Sequence, residues 1–465
     1  MTSFSLKALS TVTYGKLIGK NLVLDNIITD TRKIVRNSLF IALVGKNFDA
    51  HTFINNMFLK QVNAILVHKE IKNCSIPQII VYDTYIALGK IAHWFRKQSQ
   101  AKVIAITGSS GKTSIKEMIV AILKKRDNIL YTEKNFNNYI GISLTLLKLK
   151  KKHKYIVIEI GANKLGEIYK STKLFFPADV ILINNIEAAH LHGFKSLKGI
   201  AKEKGKLILG LKKKGTAIIN SNIKYLKIWK NQLKEKNIIF FSLHLKKKIS
   251  FWASNIKINV KNSNFTVHTP KGKINIFLPN LGIYNIINTV ATTAVIISIG
   301  LSLLDVQQGI KKIRYLPGRL FPIQLSYNQL LIDDTYNANY GSFKAAIDFL
   351  SRCSGYQVIV IGDIFELGKF TKNIYSKISD LLRKSKIHKI ISTGIYGKYI
   401  TNTNNEYCTS KEKIFKKLIY ILEKNQETTI LIKGSRKSHM EEIINKLQEY
   451  KNVYMVSKKI FNIVF

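Results

Sequence analysis

The chain has 465 residues, of which 46% are hydrophobic and 22% charged, and its formal net charge is +46 at pH 7. This length predicts about three domains, each with its own core. Three cysteines, far apart in the sequence, exclude a disulfide framework and the paired spacing of a zinc site. The first residues lack the basic-then-apolar pattern of a secretory signal, so we expect a cytoplasmic protein.

The excess of lysine has two interpretations. A strongly basic surface can bind nucleic acid or an anionic membrane. Here the lysines are spread along the chain in short runs, such as 150–152, 212–214 and 246–248, without an aromatic-interleaved RNA motif or a zinc pattern. We therefore favour a generally basic surface and expect no nucleic-acid partner. Such a surface would still attract phosphorylated, anionic substrates.

Residues 1–98 form a first block in which short strands and helices alternate. The apolar stretches NSLFIALVG, residues 37–45, and VNAILVH, residues 62–68, are its strand candidates.

A second block, residues 99–315, begins with the stretch VIAITGSSGKTSIKEM, residues 103–118. Residues 103–106 predict a buried parallel strand, 107–111 a tight loop, and 114–125 a helix with apolar residues at three- and four-residue spacing. A strand, a glycine-rich loop and a helix together present backbone N–H groups to an anion. Lys112 would add a cation for the β- and γ-phosphates, and the Thr113 hydroxyl would reach magnesium. Ile106 replaces the first glycine of the usual G-x-x-x-x-G-K-[ST] pattern, so only a shorter loop remains.

Two apolar strands, residues 155–160 and 179–186, follow in the same block. Glu159, near the end of the first, is either a magnesium ligand or a solvated strand-end carboxylate. His190, after the second, is either a metal or phosphate ligand or an ordinary loop histidine. The residues Lys202, Lys204 and Lys206 are by default a solvated basic helix face. The tract 283–304 is too polar and too short for the roughly 20 apolar residues of a membrane span, so we predict a buried helix and no stable membrane insertion.

A third block, residues 316–465, begins near YLPGRLFP and again alternates strands with helices, which predicts an α/β fold with parallel sheets. In DDTYNANYGS, residues 333–342, paired carboxylates end a strand. They would position a ribose, an ammonium group or a metal, or else form an acidic helix cap. The segment LIKGSR, residues 431–436, suits a carboxylate or phosphate, with a plain strand–turn as the alternative.

Taken in order, these motifs resemble the Mur ligase family. The resemblance rests on TGSSGKTSIKEM, NFNNYIGISLTLL, IEIGANKLGEI, NNIEAAHLHGF, AKEKGK, GIYNIIN, PGRL, DDTYNANYGS, GDIFELG and KGSR, and it covers nearly the whole chain. It implies a three-domain architecture. The parts would be a UDP-substrate-binding domain (1–98), a central ATP-binding domain with a P-loop ATPase-like parallel sheet (99–315), and a C-terminal Rossmann-like ligase domain (316–465).

The resemblance also implies an activity. The enzyme would join D-alanyl-D-alanine to UDP-N-acetylmuramoyl-tripeptide, using ATP and two Mg²⁺ ions, through an acyl phosphate. This is the last cytoplasmic step in making the muramoyl-pentapeptide precursor of peptidoglycan. Related ligases suggest a monomer.

Residue roles follow from the same resemblance. Catalytic roles would fall to Lys112, Lys204, His190 and Arg319. The groups around ATP would be Thr107, Gly108, Ser109, Ser110, Gly111, Lys112, Thr113, Asn285, Asn288, Arg319 and Asp334. Magnesium would be held by Thr113 and Glu159 and by His190, with Lys204 carbamylated as an anionic ligand. The substrates would contact Asp30, Arg32, Asp49 and His51 at the uridine nucleotide, Asn138 at the muramoyl peptide, and Asn337, Lys433 and Arg436 nearer the reacting groups.

Some positions depart from the family pattern. Tyr284 stands where histidine is usual, and Lys206 where glutamate is usual; Asn37 and Ala50 replace frequent glycines. We expect an altered adenine contact, a more positive surrounding for Lys204 and a shifted uridine loop. The alternatives are another amide ligase, such as a folylpolyglutamate synthase, against which DDTYNAN and AAHLHGF argue, and a basic nucleic-acid-binding P-loop NTPase.

Overall fold

A computed structural model describes residues 3–45, 48–59, 61–259, 262–279, 281–400 and 404–461. The amino-terminal segment contains a five-stranded sheet in the order β2-β9-β8-β5-β4, parallel except for the antiparallel edge strand β2. Its strands are β1 (Phe4–Ser5), β2 (Lys16–Ile18), β3 (Val23–Leu24), β4 (Asn26–Ile28), β5 (Ser38–Ile41), β6 (Val44–Gly45), β7 (Phe48–Asp49), β8 (Ala64–Val67) and β9 (Gln78–Ile80). Its helices are α1 (Leu6–Thr13), α2 (Asn56–Leu59) and α3 (Thr84–Lys97).

The central segment is built on a six-stranded parallel sheet in the order β11-β12-β10-β13-β14-β15. Its strands are β10 (Lys102–Thr107), β11 (Ile129–Tyr131), β12 (Tyr155–Glu159), β13 (Ala178–Ile183), β14 (Leu211–Asn220) and β15 (Asn237–Phe241). The helices around it are α4 (Lys112–Leu123), α5 (Tyr139–Leu147), α6 (Glu167–Phe175), α7 (Leu191–Phe194), α8 (Leu197–Gly205), α9 (Lys230–Leu233), α10 (Ile283–Ser298) and α11 (Leu303–Ile310). The apolar runs of β10, β12 and β13 are buried on both faces, as in parallel sheets covered by helices.

A three-stranded antiparallel sheet, absent from the sequence-based prediction, lies in the lysine-rich section of the central segment. It consists of β16 (Trp252–Ile258), β17 (Ser263–Thr269) and β18 (Gly272–Leu278). One face is apolar: Ala253, Val267 and Ile276 pack into the same core as α4 and α10. Polar residues such as Asn255, Lys257 and Asn264 are exposed on these strands, and they masked the strands in the sequence.

The carboxy-terminal segment has a six-stranded sheet in the order β19-β20-β24-β21-β22-β23, parallel except for the antiparallel pair β19–β20. Its strands are β19 (Phe321–Ser326), β20 (Gln329–Asp334), β21 (Tyr356–Ile361), β22 (Lys389–Thr393), β23 (Asn405–Cys408) and β24 (Thr428–Lys433). Its helices are α12 (Tyr340–Leu350), α13 (Thr371–Lys384), α14 (Lys411–Lys424) and α15 (Glu441–Phe461). The prediction of an α/β fold with parallel sheets is confirmed.

The helix predicted over 283–304 is buried but shorter than expected. It ends at Ser298, and Gly300 then adopts a φ of +100° that favours glycine. A new helix starts at Leu303, after Ser302 and Asp305 form a reciprocal capping box. Within the described residues, no helix is both long enough and apolar enough to cross a membrane.

Helix α3 joins the amino-terminal segment to the central one. It packs against α5 and α6, and the rings of Tyr85 and Tyr139 stack with their centroids 4.6 Å apart. Residues from the two segments share one hydrophobic core, which also holds Leu88 and Ile142. This packing fixes the wall that α3 contributes to the cavity described next.

Candidate active site

A cavity of about 680 Å³ lies beyond the carboxyl ends of the central parallel strands, where open α/β sheets usually bind ligands. All three segments line it. The amino-terminal one contributes Tyr85, the central one the phosphate loop and Glu159, and the carboxy-terminal one Asp334 and Lys433. A ligand that fills the cavity therefore contacts residues of all three segments.

The short loop after β10 has the geometry of a phosphate-binding loop. Ile106, at the position of the missing glycine, is still within the strand, pairs with Glu159 of β12 and is fully buried. The turn is made at Gly111, whose φ is +76° and which caps helix α4. A Cβ there would lie 2.6 Å from both Asn184 Nδ2 and Asn288 Oδ1, so only glycine fits. The shorter motif is therefore compatible with a complete strand–loop–helix unit.

The segment after β13 braces this loop through residues that the sequence analysis overlooked. Ser110 donates its backbone N–H to Asn185 Oδ1 (2.8 Å) and its hydroxyl to Glu187 Oε2 (3.0 Å), while Asn184 Nδ2 donates to the Ser110 carbonyl (3.0 Å). Burial raises the pKa of the Glu187 carboxyl. The sequence feature that could have revealed these residues is NNIE, residues 184–187, directly after a parallel strand. Polar residues at that position lie at the same edge of the sheet as the phosphate loop.

Two lysines converge on one oxygen of the loop. Lys112 Nζ lies 2.8 Å and Lys204 Nζ 2.9 Å from the Gly108 carbonyl oxygen, and both donate to it. Burial lowers the pKa of Lys112. It lowers the pKa of Lys204 well below the usual value, with the neighbouring Lys112 charge as the next cause. Lys204 is thus a buried amine within the cavity wall rather than part of a solvated helix face.

Thr113 and Glu159 form an oxygen-rich corner beside the loop. The Thr113 hydroxyl donates to Glu159 Oε1 (3.2 Å), which also accepts from Asn137 Nδ2 (2.9 Å). The second carboxylate oxygen, Oε2, is buried and has no hydrogen-bond partner among the described residues. An unpaired buried carboxylate oxygen next to a hydroxyl suits a hard divalent cation such as Mg²⁺.

The side chain of Lys206, one of the departures from the family pattern, pairs with a carboxylate. Its Nζ pairs with Glu203 Oε2 at 3.1 Å. Glu203 also accepts the backbone N–H groups of Gly166 and Ile168 (both 2.8 Å) and so caps helix α6. The extra positive charge is neutralised beside the cavity wall.

His190 lines the cavity and has a left-handed backbone conformation, with φ +53°. Its Nδ1 bonds the carboxylate of Glu366 from the loop after β21.

Asn285 and Asn288 also line the cavity, but they bond each other (3.3 Å), and Asn285 Nδ2 also donates to the Leu281 carbonyl. Burial raises the pKa of the neighbouring Tyr284 to about 12, so its hydroxyl is neutral.

The carboxy-terminal segment supplies a buried ion pair and an arginine. Lys433 Nζ lies 2.6 Å from Asp334 Oδ2 and 3.1 Å from the Asn337 carbonyl. Arg319 stacks on the Tyr336 ring at 4.1 Å and donates from Nη2 to the Thr113 hydroxyl oxygen at 2.9 Å. Helix α12 is capped by Asn339, so the idea that the acid pair forms its cap is wrong.

Asp333, the other acid of that pair, points away from this ion pair. Its carboxylate accepts from the Gly318 N–H (2.9 Å) and from the Thr335 hydroxyl (2.6 Å), which ties together the two loops that carry Arg319 and Asn337.

Several predicted substrate residues lie outside the cavity wall. Arg32 forms a bidentate pair with Asp30, at 2.9 and 3.0 Å, and lowers the pKa of that carboxyl to about 2. His51 is held at both ring nitrogens, by Asp49 Oδ1 (2.6 Å) and by the backbone N–H of His68 (3.2 Å). These four residues remain candidates for the uridine end of a longer substrate.

Three further positions singled out in the sequence have different surroundings. Arg436 is exposed and pairs with Glu441 at 3.2 Å, outside the cavity. Asn138 lines the cavity and caps helix α5 through a bond to the Gly141 N–H (2.8 Å). Asn37, where glycine is frequent, has a φ of +57°, which asparagine tolerates better than most residues.

The fold and the site define an α/β protein with a phosphate-binding loop, whose ligand cavity is shared by three sheets. Residues 106–296 match the Mur ligase middle domain, and residues 318–436 match the Mur ligase glutamate ligase domain. The chain therefore belongs to the Mur ligase family, and the predicted three-domain architecture is confirmed.

Individual relatives agree along the whole length. The UDP-N-acetylmuramoyl-tripeptide–D-alanyl-D-alanine ligase of Buchnera aphidicola subsp. Acyrthosiphon pisum is 44% identical, covering 96% of this chain and 98% of its own. The enzyme of the same name from Escherichia coli K12 is 40% identical, covering 97% and 99%. A crystal structure of MurF from Acinetobacter baumannii superposes with a TM-score of 0.91 at 32% identity, covering 97% and 99%.

Proposed function

We propose that this chain is the ATP-dependent ligase that joins D-alanyl-D-alanine to UDP-N-acetylmuramoyl-tripeptide. The observation that carries the proposal is the convergence of Lys112 and Lys204 on the Gly108 carbonyl, beside the Thr113–Glu159 corner. Cationic groups and a cation site at one loop are what the transfer of a phosphoryl group requires. The full-length similarity to two ligases of this name supports the choice of substrates.

The reaction couples two transfers at one place. The terminal carboxylate of the tripeptide attacks the γ-phosphorus of ATP, which gives an acyl phosphate and releases ADP. The amine of D-alanyl-D-alanine then attacks the acyl carbon, and phosphate leaves as the amide forms. No protein nucleophile is needed, so the chain's task is to position the reactants and to neutralise charge.

The residues divide this task by location. The loop 107–113 would hold the phosphates, and Lys112 would stabilise the negative charge that moves between oxygens. Asn285 and Asn288 would lie against adenine. Arg319 and Asp334 would reach the nucleotide from the carboxy-terminal segment, with Asn337, Lys433 and Arg436 nearer the amine substrate.

Thr113 and Glu159 would hold one Mg²⁺ ion, and His190 and a carbamylated Lys204 the second. Bound magnesium supplies Lewis-acid neutralisation of the phosphate oxygens. The buried, unpaired Glu159 Oε2 supports the first site. The lowered pKa of Lys204 supports the carbamate, because only a neutral amine adds carbon dioxide.

The remaining assignments concern the residues that contact the nucleotide-linked substrate and the boundaries of the domains. Asp30, Arg32, Asp49 and His51 would flank the uridine nucleotide, and Asn138 would contact the muramoyl peptide. We propose the boundaries 1–98, 99–315 and 316–465 for the domains, since each contains one main sheet. Because ATP and nucleotide-linked precursors are cytoplasmic, we place a monomeric enzyme there, without nucleic-acid partners or stable membrane insertion.

Phosphate release from ATP by the purified protein tests the function. The assay contains magnesium, UDP-N-acetylmuramoyl-tripeptide and D-alanyl-D-alanine, each omitted in turn, with RNA or DNA tried as a replacement. Release that requires both substrates is the expected result. Release driven by nucleic acid alone would instead support the alternative of a nucleic-acid-dependent NTPase, with affinity falling steeply with salt.

Lys112→Ala tests the loop assignment. Turnover should fall at least about a thousandfold, because a positioned charge at a transferring phosphoryl group is worth several kcal/mol. The melting temperature should stay close to that of the wild type, since the Lys112 side chain donates to a carbonyl of its own loop. Near-normal turnover in this variant would remove Lys112 from the mechanism.

Carbon-13 NMR tests the carbamate. With ¹³C-bicarbonate, the wild type should show a carbamate resonance that is absent from Lys204→Met and unchanged in Lys206→Met. A spectrum without that resonance, from protein that is active, would mean that the amine itself functions.

A further inference from the structure

A contact between the central and carboxy-terminal segments lies at the edge of the cavity. It joins the residues around His190 to the loop 363–368 that follows β21. Glu366 accepts from the His192 backbone N–H at 3.1 Å through its carbonyl oxygen, and its carboxylate bonds His190 Nδ1. The two segments are thus tied by both a backbone and a side-chain bond at one residue.

The backbone on both sides of this contact is unusual. His190 has φ +53° and Glu366 φ +67°, a left-handed conformation that residues with a side chain adopt at some cost. Such conformations persist where the surrounding structure holds them, and they cluster at functional sites. Two of them face each other here.

Glu366 is anchored within its own segment. The neighbouring Phe365 donates its backbone N–H to Ser435 Oγ (3.0 Å), and Ser435 donates its N–H to the Asp363 carbonyl (2.9 Å). The second carboxylate oxygen of Glu366 lies 3.9 Å from Lys437 Nζ. Glu366 is therefore fastened to the turn that directly follows β24, the strand that carries Lys433.

The histidine has one ring nitrogen bonded and one available. Nδ1 is engaged by Glu366, and no described residue bonds Nε2, while the ring lines the cavity. An imidazole that binds a metal through one nitrogen almost always donates its other N–H to a carboxylate or carbonyl, which sets its tautomer and orientation. The His190–Glu366 pair has this form.

We propose that Glu366 is a positioning residue for the ligation reaction: it holds His190 by Nδ1, so that Nε2 would be available to bind the metal ion. The inference rests on the proposed function, which gives His190 its metal. Because the carboxylate belongs to one segment and the ring to another, docking of the carboxy-terminal segment completes the metal site. A conformational step would thereby be coupled to the assembly of catalytic groups.

Three variants of the full chain test this role: Glu366→Ala, Glu366→Gln and the control Glu406→Ala. Glu406 also forms ion pairs on the carboxy-terminal segment, with Lys389 at 2.9 Å, but it does not line the cavity. Thermal melting of each variant confirms that it is folded. The first readout is Mn²⁺ affinity by electron paramagnetic resonance in the presence of ADP.

The second readout is the ¹⁵N spectrum of the histidine rings, with the His190 signals assigned from a His190→Gln sample. In the wild type, His190 should carry its proton on Nδ1. We expect Glu366→Ala to lose this tautomer and to bind Mn²⁺ at least about tenfold more weakly, as is typical when an outer-shell partner is removed. Glu366→Gln, whose amide oxygen can still accept from Nδ1, should lie between Glu366→Ala and the wild type, and Glu406→Ala should match the wild type.

Wild-type ring signals and Mn²⁺ affinity in Glu366→Ala would overturn the proposal. A wild-type Mn²⁺ affinity combined with a lost tautomer would also overturn it, since the contact would then only fasten the two segments. Failure of the proposed function is distinguished separately: the wild-type protein would not ligate the two substrates, whatever the histidine spectrum shows.

Discussion

The buried pair of Lys433 and Asp334 allows a quantitative test of how the carboxy-terminal sheet is stabilised. The Lys433 side chain is 1% exposed and that of Asp334 12%, and Nζ lies 2.6 Å from Oδ2. The two residues are also register partners on β24 and β20. Lys433→Met removes the cation, approximately preserves the volume and leaves a carboxylate in a buried site.

Removing one partner of a buried ion pair typically costs about 3–5 kcal/mol, because the remaining charge is uncompensated. We expect the lower end, about 3 kcal/mol, since the Leu320 N–H still donates to Asp334 Oδ1 at 3.2 Å. The double variant Asp334→Asn, Lys433→Met removes both charges and should recover most of this loss. The more accessible pair of Lys411 and Glu442, whose side chains are 30% and 58% exposed, is the control, and Lys411→Met should cost less than about 1 kcal/mol.

The loss should also depend on pH. Burial raises the pKa of Asp334, and Lys433 is the main opposing cause, so Lys433→Met should raise that pKa further. A carboxyl whose pKa is higher in the folded than in the unfolded state binds its proton more tightly when folded. The destabilisation is therefore absent below the unfolded value and grows as the pH rises to the folded value. Lowering the pH towards the ordinary pKa of an aspartate should therefore narrow the difference in stability between the variant and the wild type.

Native-state hydrogen exchange of the β20 and β24 amides measures the local free energy of opening. This choice avoids assuming that the whole chain unfolds in one step. A loss below about 1 kcal/mol in Lys433→Met, or a double variant no more stable than the single one, would contradict the account of a buried, charge-coupled pair.

Two further predictions concern buried side chains. Trp229→Phe removes the hydrogen bond from Nε1 to the Ala201 carbonyl (3.0 Å), which lies in a fully buried site. The free energy of unfolding should fall by about 1–3 kcal/mol, which an unchanged melting temperature would contradict. Burial raises the pKa of the Cys353 thiol to about 12 and also raises that of Cys408. At pH 8, Ellman's reagent should therefore react rapidly with Cys74 alone in the native protein, and with all three thiols after denaturation. Rapid reaction of a second thiol in the native protein would refute the prediction.

The sequence predicts the parallel cores well because their signal is local. Strands such as β10 and β12 are continuous apolar runs, and the glycine-rich loop lies between a strand and an amphipathic helix. The antiparallel sheet 252–278 was missed because only one face of the sheet is buried, and asparagine and lysine side chains alternate with the apolar residues along its strands. Alternation of this kind is easily lost in a section rich in charged residues.

Only part of the candidate site could be predicted, because only some of its residues belong to a local pattern. Lys112, Thr113 and Glu159 stand at positions where a motif or a strand end makes the chemistry visible. Asn185 and Glu187 contact the loop from the segment after β13, more than 70 residues further along the chain, and local spacing does not encode such pairing. The two short polar side chains are recognisable only once the order of the strands is known.

The hydrogen bond from Arg319 to the Thr113 hydroxyl has a thermodynamic consequence. A divalent cation bound to that oxygen would lie within a few ångströms of a guanidinium, and like charges at about 4 Å repel by roughly 4 kcal/mol per pair of unit charges at an effective dielectric of 20. Metal uptake would therefore break this hydrogen bond, and the arginine would be free to turn to the anionic nucleotide that it is proposed to reach.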